Sequence, residues 1–170
     1  DDIAGIEEMG IPNYTSLLDI PEAVDYVVVA VPRRFAPNIL RDAITKGVKT
    51  VHLYTSGFAE SGNEEGIQLQ QEIHKLAEEA GVLIIGPNCM GVFNPVVGMR
   101  FGAGQQIDQI GPVAIISQSG AHASSMTQGI QSSGMGVHAT MSFGNAILLD
   151  SPDLLEYFAQ HPSVSVICAY

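Results

Sequence analysis

The amino-acid sequence predicts an α/β protein built on parallel sheets. Three observations point there. Apolar runs of strand length recur along the whole chain, each followed by a helical pattern or a glycine-rich turn. The first, "YVVVAV" at 26–31, is a continuous β-branched run, the mark of a strand buried on both faces of a parallel sheet. With 46% hydrophobic and 15% charged residues, the 170-residue chain can bury a sizeable core. Strand–helix alternation carried through the chain means α/β.

The elements follow in order. After 26–31, residues 35–47 read as a helix with Phe35, Ile39, Leu40 and Ala43 on one stripe and Gly47 as its stop. "VKTVHLYT" (48–55) is the next strand. Residues 63–80 form the clearest helix: Asn63 can cap it, Glu64 and Glu65 suit its first turn, and Gly81 closes it. "VLIIG" (82–86) is a third strand and runs straight into "GPNCMG". Residues 96–111, rich in Gly and Gln and weakly patterned, read as a linker. The alternation then restarts. "PVAIIS" (112–117) is a strand, 119–134 a helix rich in small residues, and "VHATMSF" (137–143) a strand. Asp150 or Ser151 caps a helix running to Gln160 with Pro152 in its first turn. "VSVICAY" (164–170) is the last strand.

Charge narrows the partners. The formal net charge of −11 argues against a general nucleic-acid or anionic-membrane surface. All seven Lys and Arg lie in residues 1–100, so the two parts carry different surfaces, as two domains would. No apolar run approaches membrane-spanning length. Two separated cysteines, Cys89 and Cys168, make no disulfide or metal pattern, as expected in a reducing cytoplasm. The chain starts without Met and stops inside a strand pattern, which reads as a fragment.

In open parallel sheets ligands sit beyond the carboxyl ends of the strands. Those ends carry "VPRRF" (31–35), "TSGF" (55–58), "GPNCMG" (86–91) and "SQSGA" (117–121), all small, polar or turn-forming. Ser119 caps a helix and Gly120 lets a ligand approach its first amides, so the motif is either an ordinary N-cap or a phosphate site. Arg33 and Arg34 suit a phosphate-bearing ligand or make a solvated positive turn. Cys89 is either a small apolar filler or part of a loop lying against a ligand. A catalytic thiol needs a base or helix terminus to lower its pKa, and no histidine is fixed nearby by sequence. Of the five histidines none forms a ligand pair; His52, His74, His138 and His161 read as ordinary strand or helix positions. His122, in the first turn after Gly120, faces either a phosphate or solvent.

Taken together, "VDYVVVAVPRRFAP", "SGFAESG", "IIGPNCMGVFNP", "GPVAIISQSGA" and "DLLEYFAQHPSVSVICAY" resemble the NDP-forming acyl-CoA synthetases. That family includes the ADP-forming acetyl-CoA synthetases and, more distantly, the α subunit of succinyl-CoA synthetase. The resemblance implies a Rossmann-like CoA-binding domain over 1–108, lacking its N-terminal part, and the first half of a flavodoxin-like domain over 109–170. It implies that Asn88, Cys89 and Met90 lie near the thiol end of coenzyme A, Cys89 lining the thioester site without acting as nucleophile. Val31, Pro32 and Phe35, with Ser56 and Gly57, would wall the CoA groove. Ser119 and Gly120 match the helix start that holds the phosphoryl group of a phosphohistidine.

The implied reaction converts acyl-CoA, phosphate and NDP to acid, CoA and NTP through an acyl phosphate and a phosphohistidine. The implied partners are CoA, a small carboxylic acid and an ATP-grasp domain or β subunit that binds the Mg-nucleotide, in a cytoplasmic oligomer with no nucleic acid, membrane or bound metal in this chain. The family's Gly-rich CoA phosphate loop precedes the segment matching residue 1, and its phosphohistidine follows the segment matching Tyr170. None of the five histidines matches that position, and His122 stands where the family commonly has an apolar residue. A CoA-sensing regulatory module, as in acetyltransferase-fused relatives lacking the phosphohistidine, is the alternative. An NAD-binding domain is disfavoured because "VVVAVPRRF" holds no G-x-G-x-x-G.

Overall fold

The computed structural model describes residues 8–170 and holds two sheets. The first seven residues of the unit expected over 1–108 lie outside the described residues. Sheet one contains β1 (Tyr26–Val29), β2 (Thr50–Leu53) and β3 (Leu83–Ile85), all parallel in the order β1-β2-β3. Sheet two contains β4 (Gly91–Phe93), β5 (Ile110–Ser117), β6 (Val137–Ser142) and β7 (Val166–Ala169), in the order β4-β6-β5-β7. Strands β5, β6 and β7 are parallel, while β4 pairs antiparallel with β6, Val92 opposite Met141. An antiparallel edge strand on a parallel sheet is a common arrangement. The short strand β4 lies just after the "GPNCMG" turn, so the chain enters sheet two well before residue 110.

Helices α1 (Ala36–Lys46) and α2 (Glu64–Ala80) cross between the strands of sheet one and pack on one face of it. Their ends follow local chemistry. Asn63 accepts the Gly66 amide at 2.7 Å to start α2, and Gly47 and Gly81 close α1 and α2 in the left-handed conformation. Val27, Val29, Val51, Leu53 and Ile84 point at the helices and bury against Leu40, Ala43, Phe58, Ile73 and Ala77. The opposite face of β1 is open among the described residues: Val28 is 51% exposed. The expectation of burial on both faces of "YVVVAV" therefore fails at β1, because no described helix packs on that side.

In sheet two, β5 alternates strictly. Val113 and Ile115 join Phe93 and Val137 under α3 (Gly120–Ser132), whereas Ala114 and Ile116 join Leu154 and Phe158 of α4 (Ser151–Gln160) on the other face. Asp150 and Asp153 form a reciprocal capping box at the start of α4. Edge strand β7 is less covered than its pattern suggests, and Cys168 is half-buried beneath α3 rather than in the core. The segment 96–111 is more ordered than a plain linker. It holds a short 3-10 turn at Pro95–Val97, and Gln105 is buried with its Oε1 accepting the amides of Phe101 and Gly102, both at 3.1 Å.

Candidate functional site

The turn after β3 is built by Gly86, Pro87 and Asn88. Gly86 sits at φ +101° with a would-be Cβ 2.7 Å from Leu53 O and 2.9 Å from Cys89 Sγ, so only glycine fits there. The turn folds Cys89 inward to 5% exposure. Burial pushes its thiol up to about 12, against the Gly91 amide, which favours the thiolate. A thiol in that state is a poor nucleophile at neutral pH.

Behind the turn, His52 is buried and its Nε2 lies 3.1 Å from the Cys89 carbonyl. A carbonyl only accepts, so Nε2 carries a proton. Burial lowers its pKa below 6.5, and the bond to Cys89 O opposes this less strongly. Gly91 leaves room for this ring, since a Cβ there would fall 2.2 Å from its Cε1.

Across the opening lies the start of α3. Ser119 is the N-cap, its Oγ accepting the His122 amide at 3.4 Å and lying 3.0 Å from His122 Nδ1. Buried Ser117 shapes the entry: its Oγ donates to Ser119 O at 2.7 Å and accepts the Ser119 amide at 3.1 Å. The His122 ring does not point freely into solvent but stacks on Tyr170, with centroids 4.0 Å apart and planes 12° apart. Gly120 packs directly against Met90, where a Cβ would lie 2.5 Å from Met90 Cγ.

A cavity of about 310 Å³ opens between these parts, lined by Tyr54, Ser56, Asn88, Cys89, Met90, Gly120 and Ala121. The structure thus gathers five of the sequence-derived candidates, Ser56, Asn88, Cys89, Met90 and Gly120, around one space, with Ser119 capping the helix that borders it. Val31 lines a separate cavity of about 370 Å³ beside β1, with Tyr14, Ser16 and Ile39. Pro32 and Phe35 lie on the exposed turn between β1 and α1. Arg33 is engaged within the protein: its Nη1 donates to Gly57 O and its Nη2 to Glu65 Oε2 at 2.6 Å. Arg34 lies over the Phe35 ring, 4.5 Å from its centroid.

Several residues that hold this site gave no sequence signal. Glu60 Oε1 accepts the amides of Gly57 at 2.5 Å and Phe58 at 3.2 Å. Asn145 reaches Glu60 from the loop after β6. Gly144, at φ +55°, sits so close to the turn that a Cβ would lie 2.1 Å from Pro87 O. A serine-rich or glycine-rich stretch could have flagged such loops, but the partners lie far away in sequence.

Among the described residues no group of three His, Cys, Asp or Glu side chains could hold a metal ion, and no helix is long and apolar enough to cross a membrane. Fold and cavity together define an α/β protein with a crevice at the carboxyl end of a parallel sheet, where ligands sit in such folds. Residues 5–95 match the family model of the CoA binding domain, and residues 110–170 that of the succinyl-CoA ligase like flavodoxin domain. The chain belongs to the CoA-binding domain family, and a succinyl-CoA ligase like flavodoxin domain follows that domain.

It is 35% identical over 164 residues to an ADP-forming acetate–CoA ligase I of Archaeoglobus fulgidus, a match covering 96% of this chain and 24% of that protein. To the α subunit of ADP-forming acetate–CoA ligase I of Pyrococcus furiosus it is 37% identical, covering 92% of this chain and 34% of that one. The apo structure of the dinucleotide-forming acetyl-coenzyme A synthetase 1 of Ca. Korarchaeum cryptofilum superposes with a TM-score of 0.84 at 34% identity, over 95% of this chain and 35% of that one. The chain therefore spans between a quarter and about a third of the length of these relatives.

Proposed function

We propose that this chain is the CoA-binding part of an NDP-forming acyl-CoA synthetase, with a CoA-binding unit over 1–108 and part of a flavodoxin-like unit over 109–170. One observation carries the reading: the "GPNCMG" turn and the first amides of α3 border the same cavity of about 310 Å³. A thioester held by its sulfur at Asn88–Met90 would have its carbonyl carbon within reach of a phosphate at Gly120 and Ala121. A phosphate oxygen attacks that carbon, the C–S bond breaks, and acyl phosphate and CoA result, the sulfur taking up a proton. The acyl phosphate then passes its phosphoryl group to a histidine outside these 170 residues, releasing the acid, and the phosphohistidine passes it to NDP.

Residues of this chain have defined parts. The opening amides of α3, which have no acceptor in a preceding turn, and the helix dipole stabilise the phosphoryl oxygens. Cys89, protonated and buried, shapes the thiol end of the site and forms no acyl-enzyme. Val31, Pro32, Phe35, Ser56 and Gly57 wall the remainder of CoA, with Arg34 the guanidinium left open to its phosphates. The Mg-nucleotide belongs to an ATP-grasp domain or β subunit; a relative named as an α subunit supports such a partner. The assembly is a cytoplasmic oligomer acting on a small carboxylic acid.

Ser119→Ala in the full-length protein tests the phosphate assignment. It is a cleaner variant than Gly120→Val, whose side chain would displace Met90 on the CoA side of the cavity. Histidine phosphorylation from labelled NTP should slow by about tenfold or more, with CoA affinity by calorimetry nearly unchanged. Unaltered phosphorylation would leave Ser119 a helix cap only. CoA binding with no phosphorylation in the wild type would favour the regulatory module.

A further inference from the structure

From sheet one the cavity is lined by Ser56 and by the Asn88–Met90 turn. One residue of the loop after β6 is tied to both, directly at Pro87 and through Glu60 to Gly57, next to Ser56. The side chain of Asn145 donates from Nδ2 to Glu60 Oε2 at 2.5 Å and to Gln70 Oε1 at 2.9 Å. The other carboxylate oxygen of Glu60 accepts the Gly57 amide at 2.5 Å and the Phe58 amide at 3.2 Å. Asn145 also donates its main-chain N–H to Pro87 O at 2.9 Å, and Ile147 donates to Gly86 O at 3.3 Å. Asn145 is not among the residues that line the cavity. Its contacts lie one layer behind, on the atoms that fix where the two turns point.

The electrostatics agree with the geometry. Burial alone would push the Glu60 carboxyl up, but the hydrogen bonds from Asn145, Gly57 and Phe58 outweigh it and hold the pKa below its ordinary value. Glu60 is therefore an anion at neutral pH that organises three N–H donors. Two belong to the Gly57–Phe58 backbone and the third to a loop 85 positions along the chain. Ionised acceptors give shorter and stronger hydrogen bonds than neutral ones, so this pair can set geometry rather than merely fill space.

We propose that Asn145 is a positioning residue for CoA, which acts through Glu60 to hold the Ser56–Gly57 turn in register with the Asn88–Met90 turn. The inference rests on the CoA-binding reading above. It makes CoA affinity depend on a residue of the loop after β6 that lines no part of the cavity. The docking of the two sheets and the shape of the groove are then one equilibrium, and whatever loosens the Asn145 loop weakens CoA binding.

The experiment compares wild type, Asn145→Ala, Glu60→Gln and the double variant in the full-length protein. CoA binding is measured by calorimetry, thermal midpoint by scanning, and histidine phosphorylation from labelled NTP without CoA. Asn145→Ala should weaken CoA binding about tenfold and leave phosphorylation unchanged. Glu60→Gln, which keeps an amide-accepting oxygen but loses the charge, should also weaken CoA binding measurably, by no more than Asn145→Ala does. The double variant should be no worse than the weaker-binding single variant, since both act through one contact. Asn145 as a mere cross-link predicts a lowered thermal midpoint with unchanged CoA affinity, and that result would overturn the inference alone. If Asn145→Ala does not fold, unchanged affinity in Glu60→Gln overturns it equally. Wild-type protein that binds no CoA would overturn the functional reading and this inference with it.

Discussion

Cys89 is the one residue the sequence offers as a possible nucleophile, while His52 reads as an ordinary strand position; burial gives both a quiet role. The thiol is held protonated and the imidazole neutral, each by removal from water. For His52 the pH dependence follows from the sign of the shift. Its folded pKa is lowered, so the unfolded chain binds the proton more readily. The stability it contributes is complete above the unfolded value of 6.5 and is lost as pH falls from there through the folded value. Urea midpoints between pH 8 and 5 should therefore fall more steeply for wild type than for His52→Gln, which can still donate to the Cys89 carbonyl. Parallel slopes for the two proteins would remove His52 from the acid response.

At the scale of elements, Gly66 stands in the first turn of α2, where helix propensity alone would favour alanine by about 1 kcal/mol. The structure reverses that preference. A Cβ at 66 would lie 2.4 Å from Phe58 O and 2.7 Å from Gly57 O, both main-chain atoms that cannot swing aside. Gly66→Ala should destabilise by about 1–3 kcal/mol, as overpacking does, and should also weaken CoA binding because the atoms displaced belong to the Gly57 turn. Denaturant midpoints and CoA titration check the two effects together.

Most of the elements were legible because they rest on short-range signals. Asn63, Gly47 and Gly81 mark helix ends by their own backbone chemistry, and β5 declares itself by its apolar run. What stayed hidden depends on distant partners. The pairing of Val92 with Met141, the clamp of Asn145 on Glu60 and the fit of Gly144 over Pro87 leave no local period. The site was legible at its strand ends, where Ser56, Asn88, Cys89, Met90 and Gly120 do meet. It was less legible at Arg33, because nothing in "VPRRF" says which arginine turns inward to Gly57 and Glu65.

Across the whole molecule, the covalent route between the sheets and the contacts between them meet at one place, the Gly86–Met90 turn. The chain leaves sheet one at β3 and is hydrogen-bonded into sheet two from β4 onward. The Asn145–Ile147 loop is bonded back onto the same turn at Gly86 and Pro87, and residues 102–109 only lead on to β5 within sheet two. Ala103 and Gly104 are exposed, so they are where a protease would cut. A nick there should yield two bands in denaturing gels but a single species of unchanged size in native gel filtration, and early separation of the pieces would show the seam to be weak. The same feature governs any attempt to graft one half onto a foreign scaffold. A cut placed at 108 leaves β6 without β4, one of its two strand partners. The transferable unit has to begin upstream of Gly91, and it carries with it the Asn88–Met90 turn that lines its donor's cavity.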